Sequence, residues 1–281
     1  MSFWKKLLIG GILLLGILGV LGKLGKEGKE GEDKGKATET KIAKFAVMGD
    51  IHEDYINFEK ALLKAKENGA EFIIIDGDLT TVGEQKQLQK IKDYLDKNGL
   101  SYYVIPGNHD IWLGRKVKDD IFSDIFGSSY QSFKIEGVKL ILIDNGDTIN
   151  GLNRFDGRDQ EVWLKRELEE CLQIYCVVFS HIPFEHPTST YIMGDDSDKV
   201  ASQAARLKET FKADNVNTFY AGHLHFSSEY EIEGRKTTIV GAVASERNFQ
   251  SPKFMEISIT NKAGVISVKN TEVFIDDSIS Q

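Results

Sequence analysis

Positive charge is in short supply. The chain carries 35 Lys and Arg against 43 Asp and Glu, a formal net charge of −8 over 281 residues. No Lys/Arg cluster interleaved with aromatics occurs, which argues against a nucleic-acid backbone as substrate or partner. Cysteine is scarce too. Cys171 and Cys176 are the only two, and neither has CxxC or zinc-finger spacing. They read as small buried apolar side chains, with a disulfide as the alternative if the domain is exported. No internal repeat is visible. No cysteine follows the N-terminal apolar run, which excludes a bacterial lipoprotein signal.

That run stands apart from the rest. Lys5 and Lys6 precede residues 7–22, which are uncharged and almost entirely Leu, Ile, Val and Gly. At about 1.5 Å per residue a helix of this length spans a bilayer only marginally. Phe3, Trp4 and Leu24 extend it, with the lysines reaching the headgroups. Residues 1–24 are expected to be a membrane anchor or a secretory signal. A buried core helix fits less well, because residues 25–41 are nearly all Gly, Lys, Glu and Asp. Such a stretch cannot offset its ordering entropy and reads as a charged tether. Residues 42–281 form the folded domain. The short basic head favours an anchored or secreted domain outside the cytoplasm.

The domain begins as alternating strands and helices. Continuous apolar runs at 72–75 and 176–179 have the pattern of buried strands. Strands are also expected at 43–48, 102–105, 132–135, 139–143 and 218–221. Amphipathic periodicity predicts a helix capped by Asn57, with Phe58, Ala61, Leu62 and Ala65 inward, and another from Glu84 to Asn98. Two more run from Gln160 to Cys171, with Val162, Trp163, Leu164 and Leu168 inward, and from Val200 to Phe211. After residue 221 only strands are expected, at 230–232, 237–240, 254–259 and 265–274. The simplest arrangement is two sheets face to face with helices outside.

Five polar clusters stand where predicted strands end: Gly49-Asp50-Ile51-His52, Asp76-Gly77-Asp78, Gly107-Asn108-His109-Asp110, Ser180-His181 and Gly222-His223-Leu224-His225. Strand C-termini of an α/β sheet converge on one crevice. Five of the six histidines (52, 109, 181, 223 and 225) fall in these clusters, while His186 lies just beyond one. Packing alone does not place histidines at successive strand ends. Imidazole and carboxylate together suit first-row divalent metals. If strand geometry persists, Asp50/His52 and His223/His225 each point one way. The two oxygens of Asp78 suit it to join two sites.

This five-motif set, in order from Phe45 to His225, resembles the calcineurin-like metallophosphoesterase family. The resemblance implies a four-layer α/β/β/α sandwich of two mixed sheets flanked by helices. It implies two divalent metal ions (Mn, Fe or Zn), one held by Asp50, His52, Asp78 and His225. The other is held by Asp78, Asn108, His181 and His223, with Asp78 bridging. His109 lies beside the metals without binding them, and His109 and Asp78 are the expected catalytic residues. The implied reaction is hydrolysis of a small phosphodiester or phosphomonoester by a metal-bridging hydroxide. Two divalent cations outweigh Asp50, Asp78 and that hydroxide by one positive charge, which attracts a phosphate and acidifies the water.

One position departs from the pattern. Thr81 stands where many relatives place an Asp that orients the histidine corresponding to His109, so His109 must lean on Asp110 or a backbone carbonyl. The purple acid phosphatase branch has a tyrosine there, so Thr81 separates the chain from it. Gly77-Asp78-Leu79-Thr80 is similar to the cyclic-nucleotide phosphodiesterase branch. Substrate selection is expected in loops 111–130, 145–159 and 183–198, with Arg115, Arg154, Arg158 and His186 as rim candidates. The competing readings are a nuclease of the same fold and a non-catalytic metal-binding module. The acidic charge opposes the first, and eight intact positions oppose the second.

Overall fold

Alternate side chains of the central strands take opposite faces, and this sets the layering. Residues 39–153, 159–216 and 218–276 are described in this computed structural model. In β1 (Glu39–Met48), Phe45 and Val47 face one way while Ala46 and Met48 face the other. β2 (Phe72–Ile75) splits Phe72 and Ile74 from Ile73 and Ile75 in the same manner. The first sheet also contains β3 (Ser101–Val104), β10 (Lys253–Lys262) and β11 (Val265–Phe274), in the order β11-β10-β1-β2-β3. β1, β2 and β3 pair parallel, whereas β10 is antiparallel to both of its neighbours.

The second sheet has the order β4-β5-β6-β7-β9-β8. Its strands are β4 (Gln131–Ile135), β5 (Val138–Ile143), β6 (Tyr175–Ser180), β7 (Thr218–Ala221), β8 (Ser228–Ile232) and β9 (Arg235–Ile239). β5, β6, β7 and β9 are parallel, and each outer strand is antiparallel. The inner faces of both sheets share one core, in which Phe45, Ile74, Leu140, Phe179, Tyr220 and Ile257 meet. Helices α1 (Tyr55–Glu67) and α2 (Gln85–Asn98) cover the outer face of the first sheet. α5 (Asp159–Glu169) and α6 (Asp198–Ala213) cover the second. The four-layer α/β/β/α sandwich of two mixed sheets is as expected.

Several local expectations need correcting. β1 starts at Glu39, and Glu39, Thr40 and Lys41 pair with Lys262, Asn261 and Thr260. The tether expected over 25–41 therefore gives its last three residues to the sheet. Their polar side chains sit at an exposed strand end, which disguises them as linker. The expected anchor or signal, residues 1–24, lies outside the described residues. Among the described residues no helix is long and apolar enough to cross a membrane. α1 is capped by Asp54, whose side chain accepts from the Asn57 amide. Asn57 itself is buried one turn later and donates to Val243 O and Ser245 Oγ. In α5, Leu164 and Leu168 are buried but Val162 faces solvent. Loop 111–130 contains two short helices, α3 (Trp112–Val117) and α4 (Ile121–Phe126). The periodicity of six-residue helices is too short to register in sequence.

Cys171 and Cys176 form a disulfide, overturning the reading as two separate apolar side chains. A short turn over Glu170–Leu172 reverses the chain into β6 and brings the two Cα atoms to 5.5 Å, within bonding range. Closing so short a loop contributes roughly 2 kcal/mol through the unfolded state. The doubly substituted Cys171→Ser, Cys176→Ser chain should lose about that much in denaturant unfolding. Native protein should show no alkylatable thiol by mass spectrometry until it is reduced.

Candidate metal centre

All five polar clusters emerge at the C-terminal ends of parallel strands: β1, β2 and β3 in one sheet, β6 and β7 in the other. Strand geometry does not continue through them, contrary to the expectation of paired i, i+2 side chains. Asp50, His52, Asp78, His223 and His225 all have positive φ, at 49°, 44°, 51°, 71° and 54°. Non-glycine residues adopt this region only where surrounding structure over-determines it. Here the amides of Asp50, Ile51 and His52 donate to Gly77 O, Asp78 O and Asp78 O at 3.0, 2.8 and 3.0 Å. The two ligand loops thus lock each other.

The side chains gather into two groups that share one carboxylate. Ligand atoms of Asp50, His52, Asp78 and His225 lie within 4.8 Å of one another, and so do those of Asp78, His181 and His223. Each group has the spacing that can hold a metal ion. Asn108 joins the second group, its Oδ1 being 3.2 Å from His181 Nε2. Asp78 joins the groups differently from the two-oxygen expectation. Its Oδ1 accepts the His109 amide at 3.0 Å. Its Oδ2 faces both His52 Nε2, at 3.6 Å, and His181 Nε2, at 3.3 Å. That oxygen is buried and has no hydrogen-bond partner.

Backbone carbonyls fix the imidazoles. A carbonyl only accepts, so a ring nitrogen facing one carries hydrogen. His181 Nδ1 donates to Asp76 O at 2.9 Å, and His225 Nδ1 donates to Arg247 O at 3.2 Å. Their neutral tautomers therefore aim Nε2 lone pairs inward. His225 Nε2 lies 3.3 Å from Asp50 Oδ1 and 3.1 Å from His52 Nε2. Imidazole nitrogens and carboxylate oxygens that converge on one point are what a cation satisfies. The residues present fit two divalent ions.

The electrostatics agree. Burial opposes ionisation of Asp50 and Asp78, but His225 beside the first and His181 beside the second hold both below the usual carboxylate range. Burial likewise opposes a charge on His181, yet the Asp78 carboxylate raises its pKa to about 10. The site draws positive charge to that nitrogen. Burial and neighbouring His181 push His223 down to about 4. Asp76 lies beneath the site with neither oxygen hydrogen-bonded. Burial, then the charge of Asp50, push it well above the usual carboxylate range.

His109 leans on a carbonyl, one of the two supports anticipated. Its Nδ1 donates to Thr81 O at 2.8 Å, so the backbone of Thr81 does the work of the missing carboxylate. Asp110 serves elsewhere. Its carboxylate accepts from Leu79 N, Thr80 N, Thr80 Oγ1 and Gly107 N. Burial and Asp78 push it up to about 6, still ionised at neutral pH. Asp110 thereby ties the loop after β2 to the loop after β3.

The profile of the calcineurin-like phosphoesterase family matches residues 43–227. The chain belongs to that family. It is a phosphoester hydrolase. A probable cyclic nucleotide phosphodiesterase of Vesicomyosocius okutanii is 22% identical over 194 residues, covering 69% of this chain and 79% of that one. A probable glycerophosphodiester phosphodiesterase, GpdQ, of Arcobacter nitrofigilis is 24% identical, covering 69% and 68%. In fold the chain is similar to GAP50, the anchor in the inner membrane complex of Plasmodium. The TM-score is 0.56 at 12% identity, covering 85% of this chain and 90% of that one.

Within this family frame the rim candidates sort differently. His186 caps its own loop, its Nδ1 accepting from Ser189 N at 2.9 Å, and it packs edge-on against Phe226 and Tyr230. Arg115 pairs with Asp147 at 3.4 Å. Arg154 and Arg158 lie outside the described residues. The loop after β9, carrying Arg247 and Phe249, was not anticipated. It touches the site through the Arg247 carbonyl and through the Phe249 amide, which donates to His225 O at 3.1 Å. Backbone contacts of this kind leave no trace in sequence.

Gly107 shows how tight the centre is. A Cβ there would sit 2.1 Å from Asp78 Oδ1 and 2.3 Å from Asp78 N. Gly107→Ala should displace Asp78 and weaken Mn²⁺ binding at least about tenfold, as disturbance of groups supporting a metal ligand does. Calorimetric titration of the variant with Mn²⁺ checks this, and unchanged affinity would sink the bridging geometry.

Proposed function

We propose that the chain hydrolyses small phosphodiesters at a dinuclear centre. In this reading Asp50, His52, Asp78 and His225 hold one divalent cation, and Asp78, Asn108, His181 and His223 hold the other. The observation that carries the reading is the unpartnered Asp78 Oδ2 facing imidazole nitrogens from both groups. Mixed imidazole and carboxylate donors favour Mn, Fe or Zn over Mg or Ca. When bound, the two cations supply Lewis-acid charge for the phosphoryl oxygens and lower the pKa of water.

The chain's own residues do the rest. Asp78 would be the ligand common to both cations, since its Oδ2 faces an imidazole nitrogen of each group. Asp50 accepts the His223 amide with both oxygens, at 2.9 and 3.2 Å, so a ligand of one group fixes the backbone of the other. His109 packs edge-on against His52 with ring centroids 4.8 Å apart. With Nδ1–H committed to Thr81 O, Nε2 is the nitrogen that handles a proton, delivering it to the leaving oxygen. Relatives named for cyclic nucleotide and glycerophosphodiester substrates support diesters over monoesters.

The same reading places the catalytic domain outside the cytoplasm, tethered through residues 1–24. The Cys171–Cys176 disulfide supports it, because such bonds persist in oxidising compartments. Free thiols in protein taken from its native compartment count against it.

Two substitutions test the mechanism. Asp78→Asn should abolish cleavage of bis(p-nitrophenyl) phosphate and weaken binding of both cations. Near-normal turnover would remove the dinuclear assignment. His109→Ala should lower kcat by about 10²–10⁴, the range for a general acid, with two metal equivalents retained by elemental analysis. Loss of metal from that variant would make His109 a ligand.

A further inference from the structure

We propose that Tyr191 and Phe249 form a slot beside the metal centre that takes a planar aromatic ring of the ester, a nucleobase. The proposal rests on the phosphoesterase reading and names the substrate class of that same site.

An open cleft of about 930 Å³ adjoins the centre, with His223 and His225 in its wall. Tyr191 and Phe249 line it from two loops, one following β6 and one following β9. Both rings are largely in water, at 67% and 79% exposure. Large aromatic side chains left wet beside a reaction centre mark a binding surface better than a packing defect.

Both loops are anchored, so the backbone that carries the rings is fixed. The Tyr191 amide donates to Ser189 Oγ at 3.2 Å, and the Ser189 amide donates to His186 Nδ1. His186 therefore supports one side of the slot, which gives this histidine a role outside the metal centre. On the other side the Phe249 amide is bonded to His225 O. Its neighbour Gln250 accepts from Ser227 N and from buried Lys253 Nζ at 3.0 and 2.9 Å. Exposed Arg247 lines the same cleft and supplies positive charge for the phosphate or its sugar.

The chemistry of the walls selects among occupants. An alkyl chain wants an enclosed apolar channel, but this cleft is open to solvent and carries Thr188, Thr190 and Arg247. A nucleobase has apolar faces for the two rings and polar edges for the hydroxyls and water. Stacking of a base on an aromatic side chain is also tolerant of base identity.

The test uses the full chain in detergent with Mn²⁺. 5′-AMP and ribose 5-phosphate share a phosphate and differ by the base. Their affinities are measured by calorimetry and by competition with bis(p-nitrophenyl) phosphate. AMP should bind about tenfold or more tightly than ribose 5-phosphate. That ratio should fall towards one in Tyr191→Ala and in Phe249→Ala, with inorganic phosphate affinity and Tm unchanged, and it should survive in Tyr191→Phe. A wild-type ratio near one, or a ratio that survives both alanine substitutions, overturns the slot. Octyl phosphate binding more tightly than AMP overturns it in favour of an alkyl occupant. Absence of any metal-dependent hydrolysis faults the phosphoesterase reading instead, and the calorimetric ratio still decides the slot.

Discussion

A buried carboxylate ringed by imidazole nitrogens organises this molecule. Asp78 is 1% exposed, and one of its oxygens meets no donor. Left alone, such a carboxylate would take up a proton or force the loop open. Instead it is held ionised by His181 and His52, while the His109 amide occupies its other oxygen. The parallel strands of both sheets end around this point. The inner core of Phe45, Phe179 and Tyr220 keeps the two sheets in fixed register beneath it. Rigidity matters because side chains from two sheets must arrive at matched depth for their ligand atoms to lie within 4.8 Å of one another.

That arrival is strained. Five ligand-bearing residues adopt left-handed backbone, each at a cost of about 1–3 kcal/mol. No one residue offsets this. Amide bonds from residues 50–52 to the carbonyls of Gly77 and Asp78, and the four donors on Asp110, hold the loops against relaxation. The strain lets side chains that strand geometry would send the same way diverge within one cluster. It also explains why His223 and His225, two residues apart, serve different groups.

The layers and the clustered polar residues were legible in sequence because each depends on residue type at fixed spacing. Period-two and period-3.6 apolar patterns gave the strands and long helices. Polar clusters at strand ends, four of the five with an adjacent glycine, contained Asp50, His52, Asp78, Asn108, His181, His223 and His225, and the structure brings these side chains together. What stayed hidden depends on backbone atoms or on short segments. The carbonyl of Thr81 behind His109 is one case, and the single oxygen of Asp78 that faces both groups is another. The cap at Asp54, the two six-residue helices and the outward turn of Val162 depend on local context that periodicity does not resolve. The disulfide was equally hidden, since a five-residue spacing states nothing about the direction of the chain between Cys171 and Cys176.

The loop after β9 shows how metal and substrate recognition become one problem. His225 donates through Nδ1 to Arg247 O and accepts the Phe249 amide at its own carbonyl. A cation on Nε2 would polarise the ring and strengthen the hydrogen bond from Nδ1 to Arg247 O on the far side. That bond fixes the backbone from which Arg247 and Phe249 project. Metal occupancy would therefore firm the wall of the cleft, and a ligand held against that wall would stabilise His225 in its inward tautomer. Because such coupling is reciprocal in free energy, a change that loosens the loop weakens the metal site even though none of the loop's side chains is a ligand.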